Sequence, residues 1–286
     1  MIVINTLLEM RKWIARKRKE GCSIGLVPTM GYLHEGHLSL VKKACRENDV
    51  VVMSIFVNPL QFGPREDYAA YPRDPAKDSQ LAQEAGVDVI FSPSVLEMYP
   101  QYPPQTTVEV KEITRYLCGA SRPGHFTGVA TVVLKLFNIV TPDTAYFGQK
   151  DYQQAQVIRQ MADDLNINVG ICTVPIVREA DGLAMSSRNT YLSPAERQQA
   201  LCLSQALMIC RKQYEEGERN SAQLKEAMKE RIRKEPCVQL EYLEICDQQS
   251  LQSIPEATGS ALVAVAVKIG KTRLIDNILL EEKQHV

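Results

Sequence analysis

The sequence is poor in the features that mark membrane, exported, metal-bound and nucleic-acid-binding proteins. No apolar run approaches the ~20 residues of a membrane-spanning helix. The opening residues, Met1-Ile2-Val3-Ile4-Asn5, lack the charged, apolar and small-residue order of an export signal. The eight cysteines include no Cys-x-x-Cys pair, so free thiols filling the core of a cytoplasmic protein are expected. In His34-Glu35-Gly36-His37 the imidazoles stand three residues apart and not four, which fails the metalloprotease pattern, and no protein-held metal is expected. No G-x-G-x-x-G follows the first apolar strand, which excludes a dinucleotide dehydrogenase. A formal net charge of −1 offers no basic excess for a nucleic acid. Internal repeats and low-complexity segments are absent too.

What is present is a long α/β pattern. The 286 residues, 45% of them hydrophobic, suffice for two domains. Thr6, with Glu9 as its capping partner, opens a helix with the apolar stripe Leu7, Leu8, Met10, Trp13 and Ile14; its far end, Arg16-Lys17-Arg18-Lys19, reads as a solvated basic face. Residues 24–27 and 50–57 are almost wholly apolar, as in strands of a parallel sheet covered on both faces. Further strands are expected at 87–91, 144–147 and 168–173, with helices at 38–44, 76–85, 129–140 and 152–164. Five strands alternating with helices predict a Rossmann-like, doubly wound parallel sheet over residues 1–175. The segment 106–117 does not decide between helix and strand.

Beyond Pro175 the pattern changes. Ser193 as N-cap and Pro194 at the first helical position start one long helix to about Tyr214. A charged helix at 221–234 and strands at 238–246, 261–269 and 272–280 then predict a smaller α+β domain with an antiparallel sheet, over residues 176–286.

The stretch at the centre of the chain is Val27-Pro28-Thr29-Met30-Gly31-Tyr32-Leu33-His34-Glu35-Gly36-His37. A strand, a glycine-bearing loop and a helix N-terminus make an anion site, because backbone N–H groups point outward there. Two imidazoles would add donors. A tight turn in which the histidines only satisfy the backbone fits the same residues. Other polar clusters lie at 58–73, at Gly148-Gln149-Lys150-Asp151 and at Met185-Ser186-Ser187-Arg188. Lys150 is a mobile point charge suited to phosphate. Asp151 either caps a helix or holds Mg²⁺ or a ribose hydroxyl. Ser186, Ser187 and Arg188 can donate to phosphate, with a surface ion pair as the other reading of Arg188.

Taken in order, these blocks resemble one family. Pro28 to His37 followed by Leu38-Ser39-Leu40 is similar to the HIGH-type signature of the nucleotidyltransferase superfamily. Asn58-Pro59-Leu60-Gln61-Phe62-Gly63, Asp67-Tyr68, Tyr71-Pro72-Arg73, Arg122-Pro123-Gly124-His125-Phe126, Gly128-Val129, Phe147-Gly148-Gln149-Lys150-Asp151-Tyr152-Gln153-Gln154, Arg178-Glu179 and Ser186-Ser187-Arg188-Asn189 resemble the blocks of the pantoate–β-alanine ligase family. The H-x-G-H element alone is shared with many adenylyltransferases, whereas the ordered set is specific.

The resemblance implies ATP-dependent joining of (R)-pantoate to β-alanine through a pantoyl-adenylate, giving pantothenate, AMP and diphosphate. It implies that Met30, Gly31, Tyr32, Leu33, His34, Glu35, Gly36 and His37 line ATP, with His37 as proton donor. Gly148, Gln149, Lys150, Asp151, Val177, Met185, Ser186, Ser187 and Arg188 would complete the nucleotide site, with Mg²⁺ accompanying the nucleotide. Gln61 and Gln154 would bind pantoate, Gln61 also lying near β-alanine, and His125 would stand in the site wall. His34, His37, Lys150, Ser187 and Arg188 are the expected catalytic set. The smaller domain is expected to act as a lid over the nucleotide, and the protein to be a cytoplasmic homodimer with no nucleic-acid or membrane partner. Two rival readings, a tRNA-charging synthetase and a nucleotide-sensing module, are disfavoured by the absence of a basic anticodon-binding domain and by the intact His34, His37, Lys150 and Arg188.

Overall fold

The computed structural model describes residues 1–64 and 66–281; Arg65, inside the polar cluster at 58–73, and the stretch 282–286 lie outside the described residues. The chain forms two compact units. The first comprises Met1–Thr114, Arg122–Gln149 and Gln154–Pro175, and the second Arg115–Ser121, Lys150–Gln153 and Ile176–Val286. Two short pieces from before residue 175 thus pack with the C-terminal residues.

In chain order the elements up to Pro175 are β1 (Ile2–Ile4), α1 (Leu7–Lys19), β2 (Ile24–Thr29), α2 (Glu35–Glu47), β3 (Val50–Ile55), α3 (Pro75–Ala85), β4 (Val89–Phe91), α4 (Val95–Met98), α5 (Leu117–Ser121), α6 (His125–Val140), β5 (Thr144–Gly148), α7 (Tyr152–Asp164) and β6 (Gly170–Val174). The strands form one parallel sheet of order β1-β4-β3-β2-β5-β6, the doubly wound arrangement that the alternation predicts. The sheet has six strands among the described residues and not five, because β1 spans only three residues, too few for a periodicity to register. Val27, Val51, Met53 and Ile90 from the strands pack with Leu40, Val41, Ala44 and Ala82 from α2 and α3, each fully or nearly fully buried. Burial of side chains of this kind contributes about 1.5–3 kcal/mol for each Val, Leu, Ile or Met.

The sheet order reverses at β2: β3 and β4 lie to one side of it, β5 and β6 to the other. Such a switch point opens a crevice beyond the strand C-termini. Here β2 and β5 pair only at Gly25↔Thr144 and Leu26↔Ala145, although both strands continue beyond those residues. Pro28, which has no N–H for a sheet ladder, falls in the stretch of β2 past the last β5 partner.

Two expectations change. The basic end of α1 is more than a solvated face: Arg18 pairs with Asp143 at 2.7 Å and donates to the Thr141 carbonyl, while Asp143 accepts from the Ile24 amide at 2.6 Å. Arg18 thereby ties the start of β2 to the start of β5. Helix α6 begins at His125 and not at 129, with Gly124 at φ 81° preceding it, so His125 to Gly128 are helical.

In the second unit α8 (Pro194–Ala200), α9 (Cys202–Glu215) and α10 (Ser221–Ile232) precede β7 (Val238–Asp247), β8 (Ala261–Ile269) and β9 (Thr272–Leu280). The strands make an antiparallel sheet of order β7-β8-β9. Ser193 and Glu196 form the capping box that starts α8. The expected single helix to Tyr214 is instead two, divided at Leu201. No glycine or proline marks that division. The core of this unit joins Leu203, Leu207 and Cys210 of α9 with Leu224 and Met228 of α10, Ile245 of β7 and Val263, Val265 and Val267 of β8.

The thiols divide likewise. Cys118, Cys202, Cys210 and Cys246 are buried core residues, but Cys45 and Cys237 are exposed, contrary to a uniform core role. Burial pushes the thiols of Cys202, Cys210 and Cys246 up to about 12.

Candidate active site

In the first unit the site begins where β2 ends. Thr29 Oγ1 donates to the Ser54 carbonyl at 2.7 Å and accepts from the Gly31 amide at 3.1 Å, which turns the chain off the strand. Gly31 at φ 79° and Tyr32 at φ 52° take left-handed backbone. A Cβ on Gly31 would stand 2.8 Å from Asp78 Oδ2. That carboxylate, from α3, accepts from the Tyr32 amide at 2.9 Å and the Leu33 amide at 2.7 Å. Burial pushes the Asp78 carboxyl above its ordinary value, and the two amides offset this only in part. Asp78 is therefore the brace of the loop. Sequence reasoning misses it because an aspartate near the start of a helix, 45 residues from its partner, looks like any other first-turn acid.

His34 is the N-cap of α2: its Nδ1 accepts from the Gly36 amide at 3.1 Å. His37 Nδ1 accepts from the His34 amide at 3.3 Å, completing a capping box built from two imidazoles. Their ring centroids are 4.0 Å apart. The backbone-satisfying reading of the pair is thus what the geometry shows. An Nδ1 that accepts a hydrogen bond cannot carry the proton, so the cap assigns the proton of each neutral ring to Nε2. The backbone duty sets the tautomer in which Nε2–H is a donor.

Gln61 ends the short 3₁₀ turn Pro59–Gln61 after β3 and is buried. Its Nε2 donates to Met30 Sδ at 3.2 Å, which links it to the loop after β2. Its Oε1 accepts from Asn58 Nδ2 at 3.2 Å, and Asn58 Nδ2 also donates to the Gly128 carbonyl at 3.0 Å. Asn58 Oδ1 receives the Leu60 amide and the Tyr99 hydroxyl. Asn58 braces the Gln61 side chain, and the sequence marks it only as part of a block; its Asn-Pro pairing is the available signal. The Gln61 carbonyl lies 2.8 Å from His125 Nδ1, so His125 meets the site through backbone. Gln154 sits half-buried in the first turn of α7 with no side-chain hydrogen bond to a described residue, whereas the adjacent Gln153 is buried and donates to the Tyr116 carbonyl at 2.8 Å. No bond joins Gln154 to Gln61 among the described residues.

In the second unit Lys150 and Asp151 form a loose pair, Nζ to Oδ2 3.7 Å. The Lys150 carbonyl accepts from Asn277 Nδ2 of β9 at 3.0 Å. The preceding residue of β9, Asp276, takes a bidentate pair from Arg178 at 2.7 and 3.0 Å. Burial pushes the Asp276 carboxyl up, partly offset by Arg178 and the Asn277 amide. Val177 and Met185 meet through the Met185 amide and the Val177 carbonyl at 3.0 Å, closing a hairpin pinned by the Arg178↔Ala184 bridge. Ser186 then caps a 3₁₀ turn, Ser187–Tyr191, its hydroxyl accepting from the Arg188 amide at 3.3 Å. Ser187 is buried. The consecutive residues Asp276 and Asn277 therefore hold both Lys150 and the Val177–Met185 hairpin on β9. Neither stands out in the sequence, since each lies inside an apolar strand pattern.

Among the described residues no group of three or more His, Cys, Asp and Glu side chains could hold a metal ion. Asp151 is the one carboxylate among the sequence-selected nucleotide residues apart from Glu35, which is exposed. That set suits Mg²⁺ carried chiefly by phosphate oxygens. No helix among the described residues is long and apolar enough to cross a membrane.

The family profile for pantoate-beta-alanine ligase matches residues 2–279. The pantothenate synthetase of Caldicellulosiruptor saccharolyticus is 57% identical over 281 residues, spanning 98% of this chain and 100% of that protein. That of Thermotoga petrophila is 55% identical over 280 residues, spanning 98% and 100%. The crystal structure of pantothenate synthetase from Thermus thermophilus superposes with a TM-score of 0.93 at 48% identity, covering 97% of this chain and 99% of that one. The pantoate-beta-alanine ligase from Francisella tularensis, complexed with beta-gamma ATP and beta-alanine, gives a TM-score of 0.82 at 38% identity, covering 98% and 97%. A match of this length, joined to a capped histidine pair at the switch point of a doubly wound sheet, places the chain in the pantoate–β-alanine ligase family.

Proposed function

We propose a division of labour between the two units in the family's reaction. The chain is a carbon–nitrogen ligase that condenses (R)-pantoate with β-alanine, consuming ATP and releasing AMP and diphosphate, with pantoyl-adenylate between the two steps. The first nucleophile is a carboxylate, already ionised near neutral pH, so the enzyme need not activate it. What it must do is align two anions and stabilise charge on the α-phosphate and departing diphosphate.

His34 and His37 do this from the N-terminus of α2. Their Nε2–H groups donate to phosphate, and the positive end of the α2 dipole favours the same charge. Lys150, Ser186, Ser187 and Arg188 supply donors from the second unit, which closes as a lid over the nucleotide. Gly148, Gln149 and Asp151 flank the phosphates, and Val177 and Met185 line the nucleotide. Asp151 and the phosphate oxygens would hold Mg²⁺ when it accompanies the nucleotide, and the ion would supply neutralisation of part of the phosphate charge. Gln61 and Gln154 hold pantoate; an amide can donate to its carboxylate and exchange hydrogen bonds with its hydroxyls. Gln61 also faces β-alanine, whose neutral amine attacks the acyl carbon and releases AMP. The enzyme works as a cytoplasmic homodimer, as its family resemblance implies, with no nucleic-acid or membrane partner.

The observation that carries this reading is the histidine cap, which ties helix geometry to imidazole tautomer. Its test is the first half-reaction, followed as pantoate-dependent diphosphate release. His37→Ala and Lys150→Ala should each slow it by about a hundredfold or more, as for loss of a transition-state donor. A defect confined to the β-alanine step would contradict these roles.

A further inference from the structure

We propose that Glu66, Arg122 and His125 are positioning residues for Gln61 and set pantoate affinity by holding its main chain. The inference rests on the reading of Gln61 as a pantoate ligand. Gln61 ends a three-residue 3₁₀ turn, which has little internal bonding to fix its orientation. Its carbonyl is gripped from α6 and the turn before it, by His125 Nδ1 at 2.8 Å and by Arg122 Nη2 at 3.4 Å. A carbonyl only accepts, so His125 Nδ1 bears the proton and Nε2 is the acceptor. Arg122 Nη1 lies 2.9 Å from that Nε2. The rest of the guanidinium is taken by Glu66, with Nε to Oε1 and Nη2 to Oε2 both at 2.7 Å. Glu66 Oε2 in turn accepts from the Gly63 amide at 3.1 Å, closing the chain of bonds back onto the segment that follows Gln61.

This arrangement decides between two uses of Arg122. An arginine waiting for the pantoate carboxylate would keep its fork open, but here Glu66 occupies the fork bidentately. Burial raises the Glu66 carboxyl, yet Arg122 and the Gly63 amide outweigh it and hold the group at about 2, so the partner of Arg122 stays charged. The Gln61 side chain is held separately, by Asn58 and Met30. Breaking the Glu66 bond therefore frees the turn without removing a group that touches pantoate.

The test uses the full-length enzyme, with pantoate and ATP varied separately, on Gln61→Ala, Glu66→Gln, Arg122→Lys and the double variant Gln61→Ala/Glu66→Gln. Glu66→Gln and Arg122→Lys should each raise the pantoate KM by about five- to tenfold and leave the ATP KM within about twofold. In the Gln61→Ala background, Glu66→Gln should add less than about twofold, because its route is gone. Arg122→Lys retains the charge but not the fork; normal pantoate KM in that variant would assign Arg122 a plain electrostatic role and overturn the proposal. Full multiplication of the two defects in the double variant, or equal rises in both KM values, would also overturn it. An unchanged pantoate KM in Gln61→Ala would strike instead at the pantoate reading of Gln61. Glu66 is partly exposed and glutamine is its isostere; if its melting transition were nonetheless lost, Arg122→Lys carries the same comparison.

Discussion

Glu66 shows how a single ionisation links the site to stability. Burial opposes ionisation of its carboxyl, yet Arg122 holds the group at about 2 in the folded protein, against an ordinary value of 4.5. A depressed carboxyl contributes stability that is fully present above its unfolded value and is lost as pH falls toward the folded one. Denaturant midpoints should therefore fall between about pH 4.5 and pH 2, and Glu66→Gln should remove part of that slope. An identical pH dependence in the variant would show that other carboxylates carry the acid transition. The same scale explains uneven legibility. His34, His37, Gln61 and Lys150 stand out as candidates because they sit in short local motifs. Asp78, Asp276 and Asn277 are not, since their partners lie 45, 98 and 127 positions away in the chain.

At the scale of elements, α6 is the piece that packs against the 59–61 turn carrying Gln61. A Cβ on Gly128 would stand 2.4 Å from both the carbon and the oxygen of the Leu60 carbonyl. In an unobstructed helix, glycine to alanine gains about 1 kcal/mol. Here the methyl meets backbone, and overpacking of this kind costs about 1–3 kcal/mol or more. The clash should win: Gly128→Ala should lower Tm and raise the pantoate KM more than the ATP KM, as read by thermal melting and initial rates. A rise in Tm would mean that the 59–61 turn yields freely. Periodicity starts this helix at 129 and so leaves Gly128 outside it. Gly124 and Gly128 together look like loop, but only Gly124 takes left-handed backbone. The converse holds at Leu201, where a helix divides with no breaker residue to announce it.

For the whole molecule, the two units differ from a simple cut at residue 175. α5 belongs with the C-terminal sheet: Cys118 Sγ lies 3.2 Å from the Tyr242 hydroxyl, and Arg273 reaches Ser121 Oγ at 3.3 Å while paired with Glu241. Lys150 likewise supplies the carbonyl that Asn277 uses. A fragment of residues 176–286 would lack these partners and expose a tyrosine that otherwise packs against α5. Its urea midpoint should lie below that of the second unit within the full chain, monitored by native-state hydrogen exchange at β7 and β9. Equal protection in the two would show that 115–121 and 150–153 add nothing to the unit.

The sequence by itself determined the family, the α/β alternation followed by a smaller antiparallel sheet, and the identity of the histidine, lysine and glutamine candidates. These are properties of local pattern: strand and helix periodicities, a strand–loop–helix junction, and short blocks in a fixed order. Only the tertiary structure decided which ring nitrogen of each histidine accepts from the backbone, which carboxylate braces their loop, and what grips the turn that carries Gln61. Each of these depends on hydrogen bonds that folding alone brings into register, most of them between residues far apart in the chain, and residue periodicity holds no record of which donor meets which acceptor.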